Sequence, residues 1–547
     1  MRFSEVFGAI VKRPASVLRR ITAAVHAMMP LQSLLNPLKQ SLQLRGVAPE
    51  QKYENELSLR LIYAAARNLA DPGDHRIDPA VECRVEPLGR PLRIGFLGDL
   101  ANQPYLAVRS LRWLANALSS ALLQNVAVPL GRRRSEVRLA QGAPASLWGT
   151  TPILTLPLKA RADRMLGLES QSLVFTTYYI ARDFDFNLER VDRVIRWLGR
   201  YAGIAIIPYE LLLLAWALWR YDVFHFFYDR GLTSRATRFG VNPFELDVLR
   251  AAGKRVFLYA YGADVRRRDE TLALGKWNFC VDCPELERFC ACTADNAAII
   301  ADMAEKATCA VALGDMLAYV PDARNMHYWP IDLEHVPPAA PPCTDGPLRI
   351  AHAPNHTHFK GSHHLEAAIA RLRAEGHAIE YVKLQGVPNA EVIRLFGEAD
   401  LVADQFIGGA YGYTALEAMA RGKPVLTYVR SPELVEAVEE CPLINVTPDT
   451  LEETLRWCLA NRAQLSAIGA QGTAYVRRWH TIDAVAERLG RMYEETADFP
   501  EATLRPIREA RAIILAAREG IAQATGWKHP FLVSKGDPTL RSAEMFS

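Results

Sequence analysis

The sequence predicts an α/β protein of two successive halves, each a parallel sheet with helices on both faces. Three observations carry that reading. From 348 to 461, short apolar runs alternate steadily with segments of helical period, the mark of a parallel sheet with right-handed crossovers. A looser version of the same alternation runs from 91 to 262. Between them lies Pro337-Pro338-Ala339-Ala340-Pro341-Pro342, which suits a linker and no regular element.

At 547 residues, half of them hydrophobic and 23% charged, the chain can bury real cores. A net charge of +3 is too small to argue for nucleic acid. No basic surface interleaved with aromatic residues stands out either, so no nucleic-acid partner is expected. Nine cysteines over this length are not a secreted disulfide framework. Residues 1–30 are basic and amphipathic, with no apolar block leading to a small-residue cleavage site. The expected compartment is the cytoplasm.

Residues 1–85 read as a basic, helical N-terminal extension. Within 1–45, seven Lys or Arg (Arg2, Lys12, Arg13, Arg19, Arg20, Lys39, Arg45) face one acid, Glu5. They are interleaved with Phe7, Ile10, Val11, Val17, Leu18 and Ile21. Such a helix lies on an anionic membrane surface or packs on the body as a plain extension, and both readings stand.

The first α/β half, 86–336, opens with the apolar strand and glycine turn of Pro91–Gly98. Leu106, Leu111, Leu114, Leu118 and Leu122 follow at helical spacing. Gly98 and Asn102 fall at that strand's C-terminal end, where open α/β sheets take ligands. From 130 to 200 the pattern is less regular and basic in places (Arg132, Arg133, Arg134, Arg138). Gly203–Trp219 is almost wholly apolar, but Pro208 and Glu210 interrupt it and Arg220 ends it. A spanning helix wants about 20 uninterrupted residues, so a core or surface-lying helix is expected. Asp222–Phe227 and Arg255–Gly262 read as buried parallel strands, with the helix Asn242–Ala252 between them.

The second half, 346–495, alternates cleanly. Strands are expected at Leu348–Ala353, Ile379–Leu384, Asp400–Ala403, from Val425, and at Leu443–Val446. Helices are expected at Ser362–Glu375, Asn389–Glu398, Tyr413–Ala420, around Glu433, and at Pro448–Asn461. A helical tail, 496–547, completes the chain.

Two segments of this half carry chemistry. Asp404–Tyr428 runs from a strand end through a glycine-dense turn (Gly408, Gly409, Gly412) into a short helix bearing Glu417. Glycines let the backbone approach a ligand and leave N–H groups free at the helix start, where the dipole favours an anion such as a diphosphate. Glu417, about one turn in, can accept hydrogen bonds from a ribose diol. Asp404 and Gln405 at the strand end either contact that ligand or cap the turn. The second segment, His352–Gly361, places Lys360 and Gly361 at a helix start, a mobile cation beside free N–H groups.

Glu417-Ala418-Met419-Ala420-Arg421-Gly422-Lys423-Pro424-Val425 resembles the C-terminal signature of family-4-like glycosyltransferases. Their pattern is a glutamate, seven residues, a second glutamate, then Ala-Met-Ala-x-Gly-x-Pro-Val. The position of the first glutamate is Gly409 here. An arginine usual five residues before the lysine is Asn355, with His356 or His358 as partial substitutes. The resemblance implies a GT-B fold: two Rossmann-like domains facing a cleft, with helical extensions at both ends. It implies a nucleotide-diphosphate sugar as donor, bound by the second domain, and a glycan or lipid-linked hydroxyl acceptor on the first. The diphosphate would rest on Lys360, Asn355, Asp404 and the turn of Gly408, Gly409, Tyr411, Gly412, Tyr413 and Thr414, with the ribose on Glu417 and Gly98 and Asn102 lining the cleft. Transfer would retain anomeric configuration and require no cofactor.

In the first half, Gly262-Ala263-Asp264-Val265-Arg266 looks like a Gly-x-Asp-x-Arg run of some relatives, which makes Asp264 a catalytic candidate. His225 is the candidate for a donor-contacting histidine, against the reading of a satisfied core residue. Cys280, Cys283, Cys290 and Cys292 could form a structural zinc site, a redox pair, or ordinary buried thiols. The activity expected is glycosyl transfer in polysaccharide or glycolipid synthesis, with peripheral contact to the inner face of the plasma membrane. The rivals are a GT-B scaffold that binds a nucleotide or glycan without turnover, and a sugar-nucleotide epimerase.

Overall fold

The computed structural model describes residues 115–523, apart from 117, 178–182, 198–201, 234–239, 282, 285–289, 293–295, 321 and 342–344. The basic extension, the strand expected at 91–98 with Gly98 and Asn102, and the end of the tail lie outside the described residues.

Among the described residues the first sheet has seven parallel strands: β1 (Ala145–Thr150), β2 (Glu169–Val174), β3 (Phe186–Asn187), β4 (Val223–Phe227), β5 (Arg255–Tyr259), β6 (Cys309–Ala312) and β7 (Arg324–Asn325). Their order is β3-β2-β1-β4-β5-β6-β7. The second sheet has five parallel strands: β8 (Leu348–His352), β9 (Ile379–Lys383), β10 (Leu401–Ala403), β11 (Val425–Thr427) and β12 (Ile444–Asn445), in the order β12-β11-β10-β8-β9. These are two Rossmann-like sheets with helices on their faces, the GT-B architecture. The sheets are buried on both faces, as parallel strands require: every residue of β1, β4, β10 and β11 is buried.

Two of these strands, β1 and β2, lie in the stretch whose pattern looked irregular. Small polar residues break their apolar run, yet those residues are buried and bonded. Ser146, Ser170 and the indole N–H of Trp148 all donate to Asp163 on the helix Leu156–Met165. A polar residue buried with a partner obeys the same physics as an apolar one, but leaves no periodic trace. The apolar segment before β4 forms the helix Ala202–Arg220, with Pro208 inside it. No helix of the described residues is long and apolar enough to cross a membrane.

The last helices return to the first sheet. Tyr493, on Ile482–Thr496, donates to Asp163 (2.6 Å) and meets His225 Nε2 at 2.9 Å. Burial pushes the Asp163 carboxyl up to about 6 despite these donors. Tyr493→Phe removes one donor from a carboxylate that stays buried. A loss of about 1–3 kcal/mol in denaturant unfolding is expected, and no loss would show that this hydrogen bond does not help hold the C-terminal helix.

Candidate functional site

The second sheet reverses direction at β8. From β8 the chain steps to β9 on one side, then returns across β8 to build β10, β11 and β12 on the other. Open α/β sheets bind ligands at such a switch, outside the C-terminal ends of the two flanking strands. Here those ends are His352 on β8 and Ala403 on β10, paired in register. The loops that follow them hold Lys360 and Asp404, and Phe406 N–H donates to Lys360 O (3.1 Å), tying the two loops together.

Lys360 ends the one-turn helix Thr357–Lys360, and Gly361, at φ +65°, turns the chain into the helix Ser362–Ala374. A left-handed residue between two helices suits glycine. The Lys360 ammonium lies 2.6 Å from Asp404 Oδ1. The other oxygen of Asp404 accepts the N–H of Gly412 (2.6 Å), the cap of the helix Tyr413–Ala420. Asp404 therefore occupies, with its own carboxylate, the place where a cation and a helix N-terminus converge. A side chain at Gly412 would press on this pair, because its Cβ would stand 3.0 Å from the Lys360 nitrogen and 3.1 Å from Asp404.

One turn along, Glu417 is buried and its Oε1 accepts from Asn389 Nδ2 (2.7 Å). Burial is the main reason its carboxyl is pushed up to about 7, with Asp404 adding to the rise and Asn389 and Lys360 opposing it. Asn389 opens the helix Asn389–Glu398. Sequence reading missed it, although a helix start at Pro388-Asn389 beside this edge was visible. Lys360, Asp404, Gly412 and Glu417 thus share one edge of the second sheet, with a cation, helix N–H groups and a carboxylate in reach of each other.

The opposite wall comes from the first half. Gly314, just after β6, comes so close that a Cβ there would be 3.1 Å from Ala410, and a Cβ on Gly408 would be 2.5 Å from the Phe279 ring. Arg430 pairs with Asp315 and donates to Trp277 O (3.2 Å). Its guanidinium lies across Gly409, whose φ is +81° and whose missing Cβ would run into it. The C-terminal edges of the two sheets therefore face one another.

The other sequence candidates have surroundings of their own. His225 is fully buried in β4, stacked on Trp148 (3.8 Å), with Nδ1 against the Tyr259 hydroxyl (3.0 Å). It is a bonded core residue, with Nε2 against the Tyr493 hydroxyl. Asp264 is buried and caps its own turn, accepting from the N–H of Tyr261 (3.0 Å) and Gly262 (2.8 Å). Tyr411 points into the interior, its hydroxyl 3.1 Å from His327 Nδ1, and the Tyr413 hydroxyl donates to Pro330 O (2.9 Å). Asn355 is exposed on the loop after β8, Gly408 and Gly409 are buried in the turn, and Thr414 is partly buried in the first turn of the Glu417 helix. Cys280, Cys283, Cys290 and Cys292 carry free thiols, and Cys290 Sγ accepts from Arg266 (3.4 Å). Among the described residues no three His, Cys, Asp or Glu side chains converge as a metal site.

No protein-family model matches the sequence, and no curated protein does. Solved structures similar to it include sucrose-phosphate synthase from Thermosynechococcus elongatus, with 13% identity and a TM-score of 0.43 over 64% of this chain and 98% of that one. Anabaena HepE in complex with UDP and glucose has 12% identity and a TM-score of 0.41 over 64% and 99%. An alpha-glucosyltransferase in complex with UDP-glucose and DNA containing an abasic site has 9% identity and a TM-score of 0.40 over 64% and 99%. Likenesses this distant bear on neither donor nor residue roles; the architecture stands on the strand order given above.

Proposed function

We propose that the chain is a retaining, family-4-like glycosyltransferase that moves a sugar from a nucleotide-diphosphate sugar to a hydroxyl acceptor in polysaccharide or glycolipid synthesis. One observation carries the reading: Lys360, the N–H of Gly412 and Glu417 converge at the switch between β8 and β10. A diphosphate entering there exchanges with Asp404 for the Lys360 ammonium and the helix N–H groups. Its ribose diol then donates to the Glu417 oxygen not taken by Asn389. Charge that develops on the departing diphosphate is met by donors already in place, which is where such sites gain most of their rate. On this reading no metal is required. The acceptor, a glycan or lipid-linked hydroxyl, enters from the first half, and the compartment is the cytoplasm at the membrane's inner face.

One observation favours a second reading, a scaffold that binds a nucleotide or glycan without turnover. Where the resembled family carries its first glutamate, this chain has Gly409 with Arg430 laid across it. Purified protein incubated with a panel of nucleotide sugars separates the two. Release of nucleoside diphosphate that disappears in Lys360→Ala and Glu417→Ala is the expected result. Saturable nucleotide binding with no release on any donor would leave only the scaffold.

A further inference from the structure

The helical run that ends with Val128–Ala140 carries Leu122, Val126 and Leu130 at intervals of four, and all three are exposed. Within it Leu123–Ala127 is a π-turn. An interval of four lies between the 3.6 residues of an α-turn and the wider π-turn, so the three side chains stay in one line. The helix Ala202–Arg220 lies beside this run: Gly131 abuts Leu218, and the Arg134 guanidinium sits 4.3 Å from the Trp219 ring centre. Leu212 and Trp219, seven apart and so on one face, are exposed there too, at 54% and 47%. Trp197, on the adjoining helix Glu189–Trp197, is 76% exposed. Between 128 and 140, Arg132 pairs with Glu136 and Arg138 with Asp222 and Glu169, so Arg133 and Arg134 carry the positive charge that no acid of this segment balances.

We propose that this face docks on an anionic lipid bilayer. Exposed apolar side chains gathered on helices packed side by side mark an interaction surface. Aliphatic side chains in line, tryptophans at the margin and arginines beside them match the boundary between acyl chains and charged headgroups. A second copy is disfavoured by the same charges, since a two-fold contact brings Arg133 and Arg134 of one chain toward those of the other. The proposal does not depend on the transferase reading, and it rests on residues other than those of the basic extension.

The test is flotation of the full chain with vesicles of phosphatidylcholine alone and of phosphatidylcholine with phosphatidylglycerol, at about 0.1 M salt. Capture by the anionic vesicles is expected, at least tenfold weaker for L122Q/V126Q/L130Q. R133Q should weaken it roughly fivefold, an effect absent on neutral vesicles. Unchanged melting temperatures and circular dichroism show that the variants fold; should the triple variant fail that check, L212Q/W219Q takes its place. Equal capture of wild type and variant overturns the proposal and moves any membrane contact elsewhere, to residues 1–45 for example. No capture of wild type overturns it as well. So does a wild-type dimer that the variant cannot form, which would give the face to a second copy.

Discussion

Lys360→Ala is expected to lower kcat/KM for donor turnover by about 10²–10⁴-fold, the range for removing a donor aimed at developing charge. It is also expected to cost stability, for a separate reason. The Asp404 side chain is fully buried while Lys360 is 20% exposed. Deleting the cation leaves a buried carboxylate with the Gly412 N–H and a long contact from Thr427 (3.4 Å). Unpairing a buried ion costs about 3–5 kcal/mol when burial is complete; access of water along the exposed lysine stem should reduce that to about 1–3 kcal/mol. Lys360→Ala/Asp404→Asn separates the two effects. It removes the stranded charge, so its unfolding midpoint should return toward wild type while turnover stays lost. If turnover returned with stability, Lys360 would be a structural ion-pair partner and the anion site would be wrong.

Glu417→Gln is expected to weaken nucleoside diphosphate binding by roughly ten- to a hundredfold, the worth of hydrogen bonds to a charged group. Adenine and uracil nucleotides should lose alike, because the contact is to ribose. The same change should stabilise the free protein at alkaline pH. The carboxyl is raised from an ordinary 4.5 to about 7 by burial. Between those values the unfolded chain has already released the proton and the folded chain has not. Stability therefore falls as pH rises through that window and is flat above it. A glutamine lacks this penalty, so the difference in melting temperature should grow from pH 5 to pH 8, up to about 3 kcal/mol in unfolding free energy. Ligand affinity should run the opposite way in wild type, rising toward pH 8 as the acceptor carboxylate ionises. A pH-independent gap between the two proteins would place Glu417 outside the pocket.

The two predictions draw on different parts of one edge, and the sequence supplied their core. Strong periodicity from 348 to 420 fixed where strands end and helices start. In a parallel sheet all strands end on one side, so Lys360 and Glu417 had to reach the same edge. The first half was less legible. β1 and β2 interleave serines with apolar residues, and only Asp163 and Asp185 make those serines fit for burial.

By itself the sequence determined the α/β class, the order of elements in the second half and the glycine turn. Those depend on backbone preferences and on which positions are apolar, and both are local. Only the tertiary structure decided who touches whom. It took His225, Asp264 and Tyr411 into bonded interiors. It also brought Asn389 onto Glu417 and laid Arg430 over Gly409. Arg430 meets its partner Asp315 across 115 positions of chain. A pairing of that span is set by how two sheets pack against each other, and no window of neighbouring residues contains it.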